Sequence, residues 1–398
     1  MDDGNAYPGL RRTSVMDRYE GVDALLDGYD GYLHVGNEDD EDTVYLSGFD
    51  APDDFTLLRV DGRTVLLVSA LEYGRAENEA RADEVRRTGE FIDGDRRGDD
   101  EARADALAEF LDEYDAHDVA VPRGFSLFTA DALRERGYGV ETVADPVGEA
   151  RAVKDDGEID AIRRTQEANE EAMGSVRSVL EEAEVRDGGA LYHDGEPLTA
   201  DRIKTEIEVA LVHQRCKLSD TIVAPGEGGA DPHWRGEGTV RAGEPVVVDI
   251  FPQGDEGYFG DMTRTFVVGE PSEEVRTMYE TTVEAQEAAF DALTEGAGVT
   301  GEEVHGAVCD VFEEAGYATT RDDATEGFIH STGHGVGLEI HESPRLSEGG
   351  GELSAGNIVS VEPGLYVRGT GGVRVEDLVV VREDGYENLN DYPKSLVV

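Results

Sequence analysis

Lysine is almost missing from this chain: Lys154, Lys204, Lys217 and Lys394 are the only four in 398 residues. Arginine supplies the other basic side chains, and 35 basic against 90 acidic residues leave a formal net charge of −55. The acidity runs through the whole sequence and is not confined to a tail. Such a surface repels itself in dilute buffer, and dense salt screens that repulsion within a few ångström. The pattern reads as adaptation to a salt-rich cytoplasm. No basic patch is visible, which argues against nucleic acid as a partner, because phosphate contacts need clustered Lys and Arg. Cysteine is equally scarce. Cys216 and Cys309 give no disulfide framework and stand in no close Cys/His cluster, so both read as buried small residues. No stretch approaches the roughly 20 uninterrupted apolar residues of a membrane-spanning helix. The start, MDDGNAYPGL, lacks the basic-then-apolar pattern of a secretory leader. The expectation is a soluble, cytoplasmic protein with no membrane partner.

The length favours two domains, each able to bury its own core. In the first part, YLHV near Tyr32, VYLSGF near Tyr45, FTLLRV near Phe55 and TVLLVS near Thr64 read as strands. DEARADALAEFLDEY from Asp100 reads as an amphipathic helix, so this part is an α/β unit. Between Glu149 and Asp156 the pattern changes to a long acidic helix with Ile159, Ile162 and Ala168 on one face. The boundary is placed there, giving domains 1–150 and 151–398. The second part carries helices near 201–214, 272–295 and 301–315. Its strand-like runs PVVVDIF, DMTRTFVV, GFIHST, NIVSVEPGLYV and GVRVEDLVVV are punctuated by glycine and proline, as antiparallel strands are. DGGALYHDGEP from Asp187 reads as a surface loop without chemistry.

Charged residues inside those apolar runs carry the chemical signal. Asp249 interrupts PVVVDIF, and a buried carboxylate costs several kcal/mol unless it is paired or metal-bound. In DMTRTFVV, period-two alternation puts Asp261, Thr263 and Thr265 on one face, so hydroxyls stand near Asp261. FIHSTGHGVGLEIHE offers His330, His334 and His341 among small residues, and glycines beside His334 permit close approach. Glu362 lies in IVSVEPGLYV and Glu376 in GGVRVEDLVVV. Arg374 and Glu376 share a strand face, and the simplest reading of that pair is an ion pair. Asp249, Asp261, His334, Glu362 and Glu376 together form an oxygen-rich set with one imidazole. It suits manganese, cobalt or zinc and is too large for one ion with an open position, but fits two ions sharing bridging carboxylates.

The order and context DIF…GDMTRT, GHGVGLEIHE, VEPGLY and GVRVED resemble the pita-bread metallopeptidase family, which includes methionine aminopeptidases, aminopeptidase P and prolidase. The resemblance covers about residue 150 to the C-terminus, and the preceding unit is similar to the N-terminal domain of the aminopeptidase P and prolidase branch. It implies an α+β fold: a pita-bread catalytic domain after a smaller α/β domain of the creatinase/prolidase type, in a homodimer. Asp249 would then chelate one metal, His334 with Glu362 the other, and Asp261 with Glu376 would bridge two divalent ions, manganese first among the candidates. Glu362 would serve as general base, and His341 and His233 (in ADPHW) would stabilise the oxyanion or hold the peptide backbone. His330 and Arg374 would bind substrate. The expected reaction is hydrolysis of the N-terminal Xaa-Pro bond of peptides. Metal-free relatives that hydrolyse creatine or bind histones lose ligands from the set, whereas all five stand here. Methionine aminopeptidases generally lack the added domain. Recruitment to non-peptide hydrolase or lyase chemistry is separable by a substrate screen. One departure stands out: Asp261 follows Asp249 by twelve positions, one more than usual in the family, so a bulge or a wider turn is expected there.

Overall fold

A computed structural model of the chain describes residues 19, 21–24, 26–92 and 100–398, and the segment MDDGNAYPGL lies outside them. The chain divides into two compact units, the first ending at Arg151 and the second running Ala152–Val398. No helix among the described residues is long and apolar enough to cross a membrane.

The first unit is built on strands β1 (Gly31–Gly36), β2 (Phe55–Val60), β3 (Arg63–Val68), β4 (Glu84–Arg87), β5 (Asp118–Val121) and β6 (Gly139–Thr142). They form one mixed sheet in the order β4-β3-β2-β1-β5-β6. Helix α1 (Glu41–Ser47) corrects the sequence reading, which took VYLSGF for a strand. Its ends explain the difference. Asp40 accepts the Thr43 N–H at the start, and Gly48 turns left-handed at φ 60° at the end, donating its N–H to Val44. These end signals outweigh the β-like composition of a helix of only about two turns. Helix α2 (Asp100–Glu113) sends Leu107, Phe110 and Leu111 into the core beside Leu33, Val65 and Val119.

The second unit opens with α3 (Asp156–Glu181), started by a reciprocal cap between Asp155 and Glu158. The segment read as a loop from Asp187 belongs instead to a small three-stranded meander, β7 (Glu184–Val185), β8 (Leu191–His193) and β9 (Glu196–Pro197). Helix α4 (Ala200–His213) packs with α3 against the sheet of β10 (Thr221–Pro225), β11 (Val246–Ile250) and β12 (Met262–Phe266). Met173, Val176, Ile203, Ile207, Val248 and Phe266 fill the space between. A second helix pair, α5 (Glu273–Leu293) and α6 (Gly301–Glu314), covers the other half in the same way.

That half contains β13 (Gly333–Gly335), β14 (Glu342–Leu346), β15 (Ile358–Val361), β16 (Gly364–Val367), β17 (Gly371–Arg374), β18 (Asp377–Val381) and β19 (Tyr386–Asn388). The sheet order is β14-β13-β15-β18-β19, with β16 and β17 paired separately. Two expected continuous strands are therefore broken. NIVSVEPGLYV splits at Glu362 and Pro363, and GVRVEDLVVV splits at Val375 and Glu376, each half entering a different sheet. Proline cannot donate to a ladder, which accounts for the first break. GFIHST is not a strand either; only Gly327 pairs, with Tyr366. Every strand ladder in this unit is antiparallel as expected, and an isolated bridge between Val267 and Val397 is parallel.

Candidate metal centre

Strand β11 brings Asp249 opposite Thr263 of β12 in regular antiparallel register, and the pairing shows no bulge. Gln253 still pairs with Phe259 in the same register, and the turn closes through Gly254 and Gly257, the latter at φ 86°. The longer Asp249–Asp261 loop is thus taken up in its turn. A register shift does occur at His334 and Gly335, on β13, where it re-aims the histidine. Glu362 and Glu376 sit at the two strand breaks. Their N–H groups donate to the Thr332 and Thr263 carbonyls at 2.8 and 3.0 Å.

Ligand atoms of Asp261, His334 and Glu376 all lie within 4.8 Å of one another, and all three residues are buried. His334 Nε2 is 3.8 Å from Asp261 Oδ2 and 3.1 Å from Glu362 Oε1. Asp249 is also buried; its Oδ2 takes a 2.5 Å hydrogen bond from Arg374 Nη2, whereas its buried Oδ1 has no hydrogen-bond partner among the described residues. Burial first, and then the charges of neighbouring carboxylates, hold Asp261 and Glu376 well above the ordinary carboxylate range. Asp249 is raised by the same causes, against the pull of Arg374. Glu362 goes the other way: its burial is outweighed by the His334 hydrogen bond and charge, which bring it down to about 2. Opposite shifts within one cluster mark groups competing for too little positive charge.

A divalent cation resolves that competition, and the residues fit one. His334 Nδ1 lies 3.0 Å from the Gly335 carbonyl, an acceptor only, so Nδ1 keeps its proton, and a cation would displace the Nε2 proton now facing Glu362 and take Nε2 as its ligand atom. The orphan Oδ1 of Asp249 offers a further lone pair to a cation. Carboxylates with one imidazole suit hard or borderline ions.

The surrounding groups hold these ligands still. Thr263 Oγ1 donates to Glu376 Oε2 at 2.7 Å, not to Asp261 as the strand alternation had implied. Asp261 is instead gripped through its backbone: Gln166 Nε2 donates to its carbonyl and Gln166 Oε1 accepts its N–H, both at 2.9 Å. Asn169 donates to the Ile250 carbonyl at 2.6 Å. Ser360 Oγ accepts the His334 N–H and donates to Glu362 Oε1. Arg374 does not pair with Glu376 as its spacing suggested. The strand ends between them, and the guanidinium serves Asp249, Thr263 Oγ1 and Tyr366 Oη. Gln166, Asn169, Ser360 and Tyr366 escaped the sequence reading. For the first two a signal existed: both are polar residues on the helix face set by Ile159 and Ile162, and both are fully buried.

The histidines divide into two kinds. His330 uses both ring nitrogens internally, Nδ1 toward the Ser331 carbonyl at 2.7 Å and Nε2 toward Tyr366 Oη at 2.9 Å. With Nδ1 protonated and the pKa lowered chiefly by burial, Nε2 accepts and Tyr366 donates to it. His341 and His233 are exposed. The His341 ring stands edge-on to His334, centroids 4.3 Å apart. The charge of His233 acts on both His330 and His341, so the three share one neighbourhood.

The relatives of the chain agree with this geometry. Residues 160–383 match the model of metallopeptidase family M24. A probable dipeptidase (PepE) of Mycobacterium tuberculosis is 33% identical over 344 residues, covering 86% of this chain and 84% of that protein. The structure of an Xaa-Pro dipeptidase from Bacillus anthracis superposes with a TM-score of 0.82 at 27% identity, covering 96% of this chain and 99% of that one. An X-Pro aminopeptidase from Thermotoga maritima gives 0.78 at 29%, covering 95% and 100%. Mixed helix and sheet, a pita-bread catalytic fold and a buried carboxylate-histidine cluster suited to divalent metal agree with more than half the chain matching one family model: this protein belongs to metallopeptidase family M24.

Proposed function

We propose that this M24 member is a dinuclear-metal exopeptidase that hydrolyses the bond between an N-terminal residue and a following proline. The observation that carries the reading is the buried cluster of Asp261, His334 and Glu376, with Glu362 against His334 and Asp249 coupled to it by charge. The substrate follows from solved neighbours named for Xaa-Pro dipeptidase and X-Pro aminopeptidase activity. Asp249 would hold one ion and His334 with Glu362 the other, with Asp261 and Glu376 shared between them. When bound, the ions supply water activation at neutral pH and polarise the scissile carbonyl.

The chain's own groups do the rest. Glu362, hydrogen-bonded by Ser360, takes the proton of the attacking water and returns it to the departing amine. His341 and His233, exposed beside the cluster, hold the peptide backbone and the developing oxyanion. His330 and Arg374, whose polar groups are spent on Tyr366, Ser331 and Asp249, position this site instead of gripping substrate directly. Residues 1–150 form the creatinase/prolidase-type domain. Manganese as resident metal, a homodimer, and a place in the cytoplasm of a salt-rich cell complete the proposal. They rest on the family resemblance and on the acidic, lysine-poor composition, which disfavours nucleic acid as a partner.

The test is chelator-treated enzyme, resupplied with manganese, cobalt or zinc in molar salt and assayed on Xaa-Pro dipeptides, longer Xaa-Pro peptides and Met-Ala peptides. Restored cleavage of Xaa-Pro bonds is expected. Good cleavage of Met-Ala with none of Xaa-Pro overturns the proline assignment, and full activity after metal removal overturns the metal one.

A further inference from the structure

The break between β17 and β18 leaves Glu376 in neither ladder, and its buried carbonyl needs a donor from elsewhere. Arg264 supplies it. Strand alternation turns this side chain away from the face of Asp261, Thr263 and Thr265, and its Nη1 donates to the Glu376 carbonyl at 2.6 Å and to the Thr263 carbonyl at 3.0 Å. The other donors go to Asp377 Oδ1 at 2.7 Å and to the Tyr392 and Pro393 carbonyls at 2.9 and 3.3 Å. All five N–H groups of the guanidinium are thus used, with 1% of the residue exposed. Asp377 is as deeply buried, and its second oxygen accepts from Lys394 Nζ at 2.9 Å and from Asn388 Nδ2 at 3.1 Å. Burial opposes its ionisation, but the charges of Arg264 and then Lys394 prevail and hold its pKa below the ordinary range. The segment from Asn388 to Lys394 walls this network and is fastened on both sides. Asn390 Oδ1 accepts the Leu378 N–H at 2.8 Å, and Tyr392 Oη donates to the Met173 carbonyl at 3.2 Å.

We propose that Asp377 and Lys394 are positioning residues for the metal centre: by fixing Arg264 they fix the backbone of Glu376, and with it the carboxylate that the two ions would share. The inference rests on the dinuclear-metal reading and extends it to a remote part of the chain. A metal ligand is tuned by the groups that orient it. Glu376 is held at both ends, by Thr263 Oγ1 on its carboxylate and by Arg264 on its carbonyl. Arg264 itself is a poor test, since its removal leaves Asp377 and several carbonyls buried without their donor. Lys394 stands at the rim. Its side chain is 20% exposed, and its ammonium lies 4.8 Å from the centre of the Phe290 ring. Methionine keeps the apolar stem and removes the charge.

The measurement is calorimetric titration of manganese into chelator-treated full-length protein in molar salt, for the parent, K394M, K394R, D377N and K217M. Lys217, an exposed lysine, controls for loss of one positive charge. K394M and D377N should bind manganese about tenfold more weakly, as loss of a group that orients a ligand does. K394R and K217M should stay at the parent value. Parent-level affinity in both K394M and D377N overturns the proposal, and so does a loss that K394R fails to repair. A second readout needs no metal. In metal-free protein, amide hydrogen exchange over residues 372–380 should be faster in K394M than in the parent and K217M, with exchange in the first unit unchanged. Equal protection of that segment in K394M and the parent overturns the proposal. A parent that binds neither manganese, cobalt nor zinc sinks the metal reading alone, and the exchange comparison then decides whether Lys394 and Asp377 fix Glu376.

Discussion

At the scale of single residues, the carboxylates of Asp261 and Glu376 are strongly constrained. Both are nearly fully buried, and both are pushed well above their ordinary range, by burial first and by Asp249 and Glu362 beside them. An isolated cluster of this kind is costly, and a cation is what makes it tolerable. Asp261→Ala or Glu376→Ala should therefore lower bound metal and abolish peptide hydrolysis. Elemental analysis finding full metal occupancy together with near-normal turnover in either variant would remove these residues from the ligand set. His341 differs, because its ring is exposed and touches His334 only edge-on. His341→Ala should lower kcat on the order of a hundredfold or more, as loss of one positioned acid–base or oxyanion group does. Metal content should stay at the parent level; a variant that loses its metal as well would make His341 a ligand, contrary to its assigned role.

At the scale of elements, helices contribute to the site from beneath. Helix α3 places Gln166 against the backbone of Asp261 across 95 residues of sequence, and α6 places His305 under the loop that leads to His334. His305 is buried, with Nδ1 2.9 Å from Thr332 Oγ1 and Nε2 2.8 Å from Thr320 Oγ1. Cys309 Sγ and the ring of Phe328 complete its surroundings. Burial, followed by the charges of Arg321 and His330, brings its pKa from 6.5 down to about 4. Between those two values the unfolded chain binds the proton and the folded one does not, so stability falls as pH drops through that window. His305→Gln removes the titration. The acid-side loss of stability should then shrink by about 2 kcal/mol between pH 6.5 and 4. Denaturant melts at several pH values in molar salt measure it, and parallel pH curves for parent and variant would show that His305 does not cause the loss.

At the scale of the whole molecule, a net charge of −55 in 398 residues dominates the response to solvent. Melting temperature and activity should both rise with potassium or sodium chloride into the molar range as self-repulsion is screened. A melting temperature in molar salt equal to or below that in dilute buffer rules the mechanism out. The sequence by itself determined the candidate ligands, because Asp249, Asp261, His334, Glu362 and Glu376 stand in runs otherwise fit only for a core, and such a core does not bury charge without a partner. It also determined the main helices, whose caps and periodicity are local: Asp155 with Glu158, and Thr300 with Glu303. What it did not determine was local only in appearance. VYLSGF has strand-forming side chains, yet its helix is set by Asp40 upstream of the run and by the left-handed Gly48 within it. Glu362 lies in a stretch where only Pro363 signals the break, and Glu376 in one that looks continuous, where only the arrangement of two separate sheets ends the strand. The partner of Arg374 was likewise decided by tertiary structure: Asp249 lies 125 residues away in sequence but one hydrogen bond away in space, and spacing along one strand carries no information about such a contact.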